Sequence, residues 1–83
     1  MNYELTQHAR DVMVERQILL EWLERVLARP ELIEASTIDP KLESRFGRIS
    51  EVDNRVLRVV VITQVVPERI VSVYFDRRMK GKL

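Results

Sequence analysis

The part of this sequence best suited to chemistry is a set of basic side chains with one histidine and one tyrosine. The only histidine, His8, lies in the stretch LTQHARDVMVERQI, and Arg16 follows it eight residues later. Tyr74 directly precedes the basic segment FDRRMKGKL. RNA is cleaved without a metal when its ribose 2′-hydroxyl attacks the adjacent phosphate, a reaction that needs a proton acceptor, a proton donor and cations. These residue types suit that reaction, although their spacing alone does not bring them together.

Signatures of other catalytic classes are missing from the sequence. Its two glycines, Gly47 and Gly81, are too far apart for a phosphate-binding loop. It has no cysteine, and a lone histidine without a tight carboxylate cluster does not favour a metal site. The serines lack the spacing of a Ser-His-Asp triad. We therefore expect no metal, cofactor or covalent nucleophile.

Charge is unevenly distributed along the chain. Residues 1–43 hold nine acids and five bases, whereas residues 44–83 hold four acids and nine bases, so the halves carry −4 and +5 within a net charge of +1. A basic half favours a polyanion such as RNA, although a solvated sheet edge would have the same composition. Candidate nucleic-acid contacts are Arg58, Arg77, Arg78 and Lys80. The last three belong to a basic tail, residues 76–83, which is either a disordered solubilising segment or a phosphate clamp.

Length and composition are those of one globular domain spanning residues 1–83. The longest apolar run, VVVIT, is too short to span a bilayer, and the first residues lack the apolar core of a signal peptide. We expect a cytoplasmic protein that does not contact a membrane.

Helical periodicity dominates the first third of the chain. Thr6 is a plausible N-cap for a helix through about Gln17, and a second helix is predicted from about Leu19 to Ala28, before Pro30. Arg16 falls in the middle of the apolar stripe of the first helix. It either stabilises the helix end with its charge while its aliphatic stem packs, or it reaches into a site.

After Pro30 the periodicity changes towards that of strands. Strands are predicted in ELIEA, SRFGRI, RVLRVVVIT and RIVSVYFD, with a hairpin turn at VDN. The element order predicts an α+β fold in which two N-terminal helices pack on one face of an antiparallel sheet of about four strands. The segment NYEL is a candidate for a short extra strand.

Strand alternation separates the two faces of this sheet. The face towards the helices is predicted to carry Leu57, Val59 and Val61 together with Val71, Val73 and Phe75. The other face would carry Val56, Val60, Ile62 and Ile70, with Arg58 and Tyr74 among them. Phe46 and Arg48 share a face that alternation does not identify. An apolar second face predicts a cover, which would be a second copy in a homodimer, a segment of another protein, or the C-terminal tail.

The stretch HARDVMVERQI, the helix ending VLARPELIE, the motif GRI, the strand LRVVVIT and the ending VSVYFDRRMKGKL together resemble a bacterial and phage family, domain of unknown function 4258. The family typically opens with His, then Arg four residues on, then Arg four further. His8, Arg16 and Arg48 match, whereas Val12 replaces the middle arginine. The resemblance implies a relation to RelE-like toxins, which are small metal-independent ribonucleases with two helices packed on an antiparallel sheet. It therefore also implies a small antitoxin as partner.

Two functional hypotheses follow. In the first, the protein is a toxin-like endoribonuclease in which His8 is the acid or base, Arg16 and Arg48 stabilise the transition state, and Tyr74 positions or protonates the substrate. In the second, it is a non-catalytic module whose basic half binds an acidic partner or nucleic acid.

Overall fold

The chain folds as a short strand, two helices and four further strands. The computed structural model describes residues 2–83. Its helices are α1 (Gln7–Glu15) and α2 (Leu20–Ala28), and its strands are β1 (Tyr3–Leu5), β2 (Leu32–Ala35), β3 (Leu42–Ile49), β4 (Arg55–Ile62) and β5 (Glu68–Phe75). Single turns of 3₁₀ helix lie at Ser50–Val52 and Arg77–Met79. The predicted α+β class and the two N-terminal helices are confirmed. Within residues 2–83, no helix is long and apolar enough to cross a membrane.

The sheet has five strands in the order β1-β5-β4-β3-β2. Neighbouring strands from β2 to β5 are antiparallel, but β1 pairs with β5 in parallel, from Tyr3 opposite Glu68 to Leu5 opposite Ile70. The candidate strand in NYEL is present as β1 beside the four predicted strands, but its parallel pairing makes the sheet mixed, so the prediction of a purely antiparallel sheet is wrong. Strand β1 joins the edge of β5 before α1 crosses the sheet, and the Tyr3 hydroxyl donates a hydrogen bond to Glu24 of α2 at 3.0 Å.

Helix α1 begins as its sequence predicts. The Thr6 hydroxyl accepts a hydrogen bond from the backbone N–H of Ala9 at 3.1 Å, which satisfies one of the free donors of the first turn. Ala9 and Met13 are the buried residues of this helix. The helix ends at Arg16, its C-cap, and Gln17 then adopts a left-handed conformation with φ of 56°.

The core lies between the helices and one face of the sheet. Leu57, Val59 and Val61 are fully buried there with Leu23 and Val26 of α2, as the alternation predicts. Burial of each such side chain contributes roughly 1.5–3 kcal/mol to folding, so this layer dominates the stability of so small a domain.

Strand β5 departs from strict alternation. Its register with β4 steps from Val60 opposite Ser72 to Val61 opposite Ile70, so the strand holds one extra residue. Because such a bulge shifts the alternation, Ile70 lies in the helix-side core, fully buried. The predicted placement of Ile70 on the second face is wrong for this reason.

The second sheet face, which we call the open face, exposes fewer apolar side chains than predicted. Val56 is 1% exposed, and the chain's own C-terminal segment lies at its end, where the Asp76 backbone N–H donates to the Val56 carbonyl at 2.9 Å. Val60 and Ile62 are half-buried. The open face also carries Phe46, opposite Arg58 in the ladder and fully buried, so Arg48 shares this face.

Gly47 allows β3 and α2 to approach closely. A Cβ atom added at this residue would lie 3.0 Å from Cγ2 of Val26, a buried β-branched side chain. Replacement of Gly47 by alanine is therefore expected to destabilise the protein by about 1 kcal/mol, at the low end of overpacking costs. Urea unfolding measures this as a lower midpoint. In the background of Val26→Ala, which opens space, the same replacement should cost nothing; an equal cost in both backgrounds would contradict this packing account.

Candidate functional site

Arg58 is the central polar residue of the open face. Its Nε donates to the Ser44 hydroxyl at 3.0 Å, and its Nη1 donates to Asp76 at 3.1 Å. Its guanidinium carbon lies 5.2 Å from the Phe46 ring centroid and 5.8 Å from that of Tyr74. The remaining nitrogen, Nη2, has no hydrogen-bond acceptor among residues 2–83. The side chain is thus a fixed cation beside Tyr74, and both N–H donors of its Nη2 are available for a ligand.

Asp76 connects this arginine to the C-terminal segment. Its carboxylate is 5% exposed, and it accepts hydrogen bonds from Arg58 and from the backbone N–H of Arg78 at 3.1 Å. Burial alone would raise the pKa of Asp76, but the hydrogen bonds from Arg58 and Arg78 outweigh it and hold this pKa below its usual range. The first turn of the basic tail is therefore folded rather than disordered, while its role in phosphate binding stays a prediction.

A cleft of about 400 Å³ opens where β4 and β5 meet this turn. We call it the cationic cleft; its lining residues are Arg55, Val56, Phe75, Asp76, Arg77 and Lys80. The lining thus holds three cations and a single carboxylate, that of Asp76. This carboxylate is already paired with Arg58, which is not a lining residue. The arrangement suits an anionic ligand.

Two of these cations differ in how they are held. The Arg55 guanidinium carbon lies 4.3 Å from the centroid of the Phe75 ring, which fixes its position. The Lys80 ammonium pairs with Asp53 at 3.1 Å, and both side chains are more than half exposed. Because exposed ion pairs contribute little free energy, an anion entering the cleft can compete with Asp53 for Lys80.

The predicted site residues fall into two groups. Tyr74 and Arg58 lie together on the open face, Arg77 and Lys80 line the adjoining cleft, and Arg78 is bound to Asp76. Arg48 shares the open face, but its Nε and Nη2 both donate hydrogen bonds to the Glu31 carboxylate, the latter at 3.0 Å.

The other group lies on α1. His8 is exposed in its first turn, and Arg16 is exposed at its C-terminal end. Within the part of the chain that the structure describes, neither side chain has a hydrogen bond or ion pair with the open-face residues. Arg16 does not lie among apolar side chains as its stripe position suggested, because it is the exposed C-cap residue of the helix. The catalytic roles of both residues stay predictions.

Sequence reasoning missed three residues of this region: Arg55, Asp76 and Ser44. An acid that directly precedes two arginines is typical of a local surface ion pair, and nothing in DRR indicates that Asp76 is buried and also pairs with β4. Arg55 and Ser44 can be assigned to this site only when the cross-strand register is known. The order of the strands is the signal that would have placed them.

A metal site is not formed by the described side chains: between residues 2 and 83 no group of three or more His, Cys, Asp or Glu residues is placed to hold an ion. The expectation that no metal takes part in the function is a separate matter and stays a prediction.

Comparison with known families adds one finding. A family model described as Domain of unknown function (DUF4258) matches residues 5–75. The chain belongs to this family. No curated protein and no solved structure matches it significantly. The DUF4258 match extends over α1, α2 and strands β2 to β5, so Arg58 and Tyr74 lie inside it, whereas Asp76, Arg77 and Lys80 lie beyond it.

Proposed function

We propose that the protein binds RNA in the cationic cleft and cleaves it without a metal, as a small ribonuclease of RelE-like type. The observation that supports this most is the position of the cleft. Asp76, which lines the cleft together with Arg55, Arg77 and Lys80, binds Arg58, and Arg58 lies beside Tyr74 on the open face. The layout of two helices on one face of a sheet is also the one that the RelE-like relation implies.

RNA binding follows from the electrostatics of this region. Lys and Arg side chains that neutralise phosphates release condensed counterions, which supplies most of the sequence-independent affinity for nucleic acids. Arg77 and Lys80 would each hold one phosphate group, and Arg58 would offer Nη2 to a neighbouring phosphate oxygen.

Cleavage would proceed through the RNA's own ribose. The 2′-oxygen attacks phosphorus while its proton passes to a base, the P–O5′ bond breaks, and an acid protonates the leaving oxygen. The products are a 2′,3′-cyclic phosphate and a 5′-hydroxyl end. Tyr74, which lies beside Arg58, would be the proton donor or positioning group, and Arg58 would stabilise the phosphorane charge. His8 is the proposed acid or base and Arg16 and Arg48 are further cations; RNA would then have to contact α1 as well as the sheet.

The RelE-like relation supports a further proposal, that the chain is the toxin of a toxin–antitoxin pair in a bacterium or phage. Val60 and Ile62 on the open face are half-buried apolar side chains that a protein partner would cover. That partner would be a small antitoxin or a second copy of this chain.

One observation favours a second candidate function. Among the described residues, neither His8 nor Arg16 makes a polar contact with Arg58 or Tyr74. A module that binds RNA or an acidic protein without cleaving it requires only the cationic cleft.

The salt dependence of RNA binding tests the cleft. We expect Arg77→Gln and Lys80→Gln each to weaken binding of a 2′-O-methyl RNA, which cannot be cleaved, and to reduce the slope of log K against log salt by about one. Fluorescence anisotropy between low and moderate salt measures both quantities. Lys82→Gln is the matched control, because it removes the same charge from the same tail outside the cleft lining. Unchanged slopes in the two cleft variants would contradict RNA binding there.

A further inference from the structure

A second cavity lies on the open face, on the other side of Arg58 from the cationic cleft. Its volume is about 340 Å³, within the range of small-ligand pockets of about 300–1,000 Å³. It lies between the hairpin of β2 and β3 and strand β4, and we call it the hairpin cavity. Its polar side chains include Glu34, Thr37, Ser44 and Arg58, and Leu42 and Val60 supply apolar walls.

The polar groups of the hairpin cavity are not equally available. Ser44 already accepts a hydrogen bond from Arg58, and Glu43, which also lines the cavity, is paired with Arg45 at 2.6 Å. Glu34 is exposed and lies opposite Ser44 in the β2–β3 ladder, and its carboxylate has no ion pair or hydrogen bond with any described residue. The cavity therefore presents an exposed carboxylate without a protein partner, an acceptor only, in the same lining as the Arg58 guanidinium.

Arg58 connects the hairpin cavity with the cationic cleft. It lines the hairpin cavity and binds Asp76, which lines the cationic cleft. A nucleotide whose phosphate lies in the cleft could thus extend its base across Arg58 towards Glu34. Bases in single-stranded RNA are commonly recognised in this way, by hydrogen bonds to the Watson–Crick edge and by contact with arginine planes.

We propose that the hairpin cavity is a nucleobase pocket selective for guanine, an inference that rests on the RNA binding proposed above. Guanine presents two adjacent donors, N1–H and N2–H, which match the two oxygens of the Glu34 carboxylate. Adenine, cytosine and uracil each place an acceptor next to their donor on this edge, which would face the carboxylate unfavourably. Arg58 or the Thr37 hydroxyl would donate to O6, and Leu42 and Val60 would contact the ring.

The test uses 2′-O-methyl hexanucleotides that are uracil throughout or carry one guanine, adenine or cytosine. Wild-type protein is expected to bind the guanine-containing oligomer roughly tenfold more tightly than the others, as for one good bidentate base contact. Glu34→Gln should reduce this preference to less than about twofold, since an amide replaces one acceptor by a donor. Glu15→Gln, an equal charge change on exposed α1, should retain the preference.

The cleft variants distinguish guanine selectivity in the hairpin cavity from RNA binding in the cationic cleft, on which it rests. Lys80→Gln should weaken all four oligomers by the same factor and leave the guanine preference intact. If all four bind with equal affinity and with the salt dependence of the cleft, the guanine pocket is wrong and RNA binding stands. If none binds, both proposals are wrong. A guanine preference that survives Glu34→Gln would also overturn the pocket.

Discussion

Replacement of Asp76 by alanine is expected to lower the melting temperature by roughly 10–20 °C. The carboxylate is 5% exposed and pairs with Arg58, whose side chain is 25% exposed. Removal of one partner of a buried ion pair leaves an uncompensated charge and costs about 3–5 kcal/mol. Partial exposure of Arg58 reduces this to about 2–3 kcal/mol, and each kcal/mol shifts the melting temperature of a domain this small by about 4–8 °C.

Two further variants separate the burial of the charge from other effects. Asp53→Ala removes an acid whose partner, Lys80, is also in the tail, but at an exposed position, so its melting temperature should stay within a few degrees of wild type. In Asp76→Ala, a second change of Arg58→Met should recover much of the loss, because no unpaired charge is then left. Equal melting temperatures for Asp76→Ala and Asp53→Ala would contradict this account.

The same pair defines a pH dependence. Since the folded-state pKa of Asp76 is depressed, its contribution is present above the unfolded pKa of about 3.9 and is lost as pH falls through the folded value. The difference in melting temperature between wild type and Asp76→Ala should therefore be constant near neutrality. It should narrow only below about pH 4.

Local chemistry explains what the sequence could predict of this fold. The Thr6 cap, the break at Pro30 and the change from helical to strand periodicity each depend on neighbouring residues only, and the elements that they predict are present. The direction of β1 depends on its long-range pairing with β5, which a three-residue segment does not encode. The extra residue in β5 changes the face of Ile70 without leaving a glycine or proline to mark it.

The site was predictable to a similar extent. Arg58, Tyr74 and the tail bases were identified by type, because cations and a tyrosine near a chain end are visible in the sequence. Their arrangement around Asp76 was not, since it depends on the register of β4 and β5 and on burial at the end of the sheet. His8 and Arg16 were also identified by type and spacing, whereas their catalytic roles rest on the family resemblance, of which the comparison establishes only the family itself.

Replacement of Tyr74 by phenylalanine is expected to slow RNA cleavage by at least about 10²-fold. A positioned acid or base typically contributes 10²–10⁴-fold, and phenylalanine removes only the hydroxyl while it retains the ring beside Arg58. The chain's other tyrosine supplies the control: Tyr3 lies in β1 with its hydroxyl bonded to Glu24, so Tyr3→Phe should cleave at nearly the wild-type rate. His8→Ala is expected to lose activity as well. Arg16→Ala should also lose activity, whereas Arg10→Ala, which removes another exposed arginine of α1, should retain it.

The most direct test is incubation of the purified protein with single-stranded RNA in EDTA, with the ends of the products identified by mass spectrometry. We expect fragments that end in a 2′,3′-cyclic phosphate, formed by wild type and Tyr3→Phe and nearly absent with Tyr74→Phe. An intact RNA after prolonged incubation, or cleavage that Tyr74→Phe leaves unchanged, would contradict ribonuclease activity at the open face.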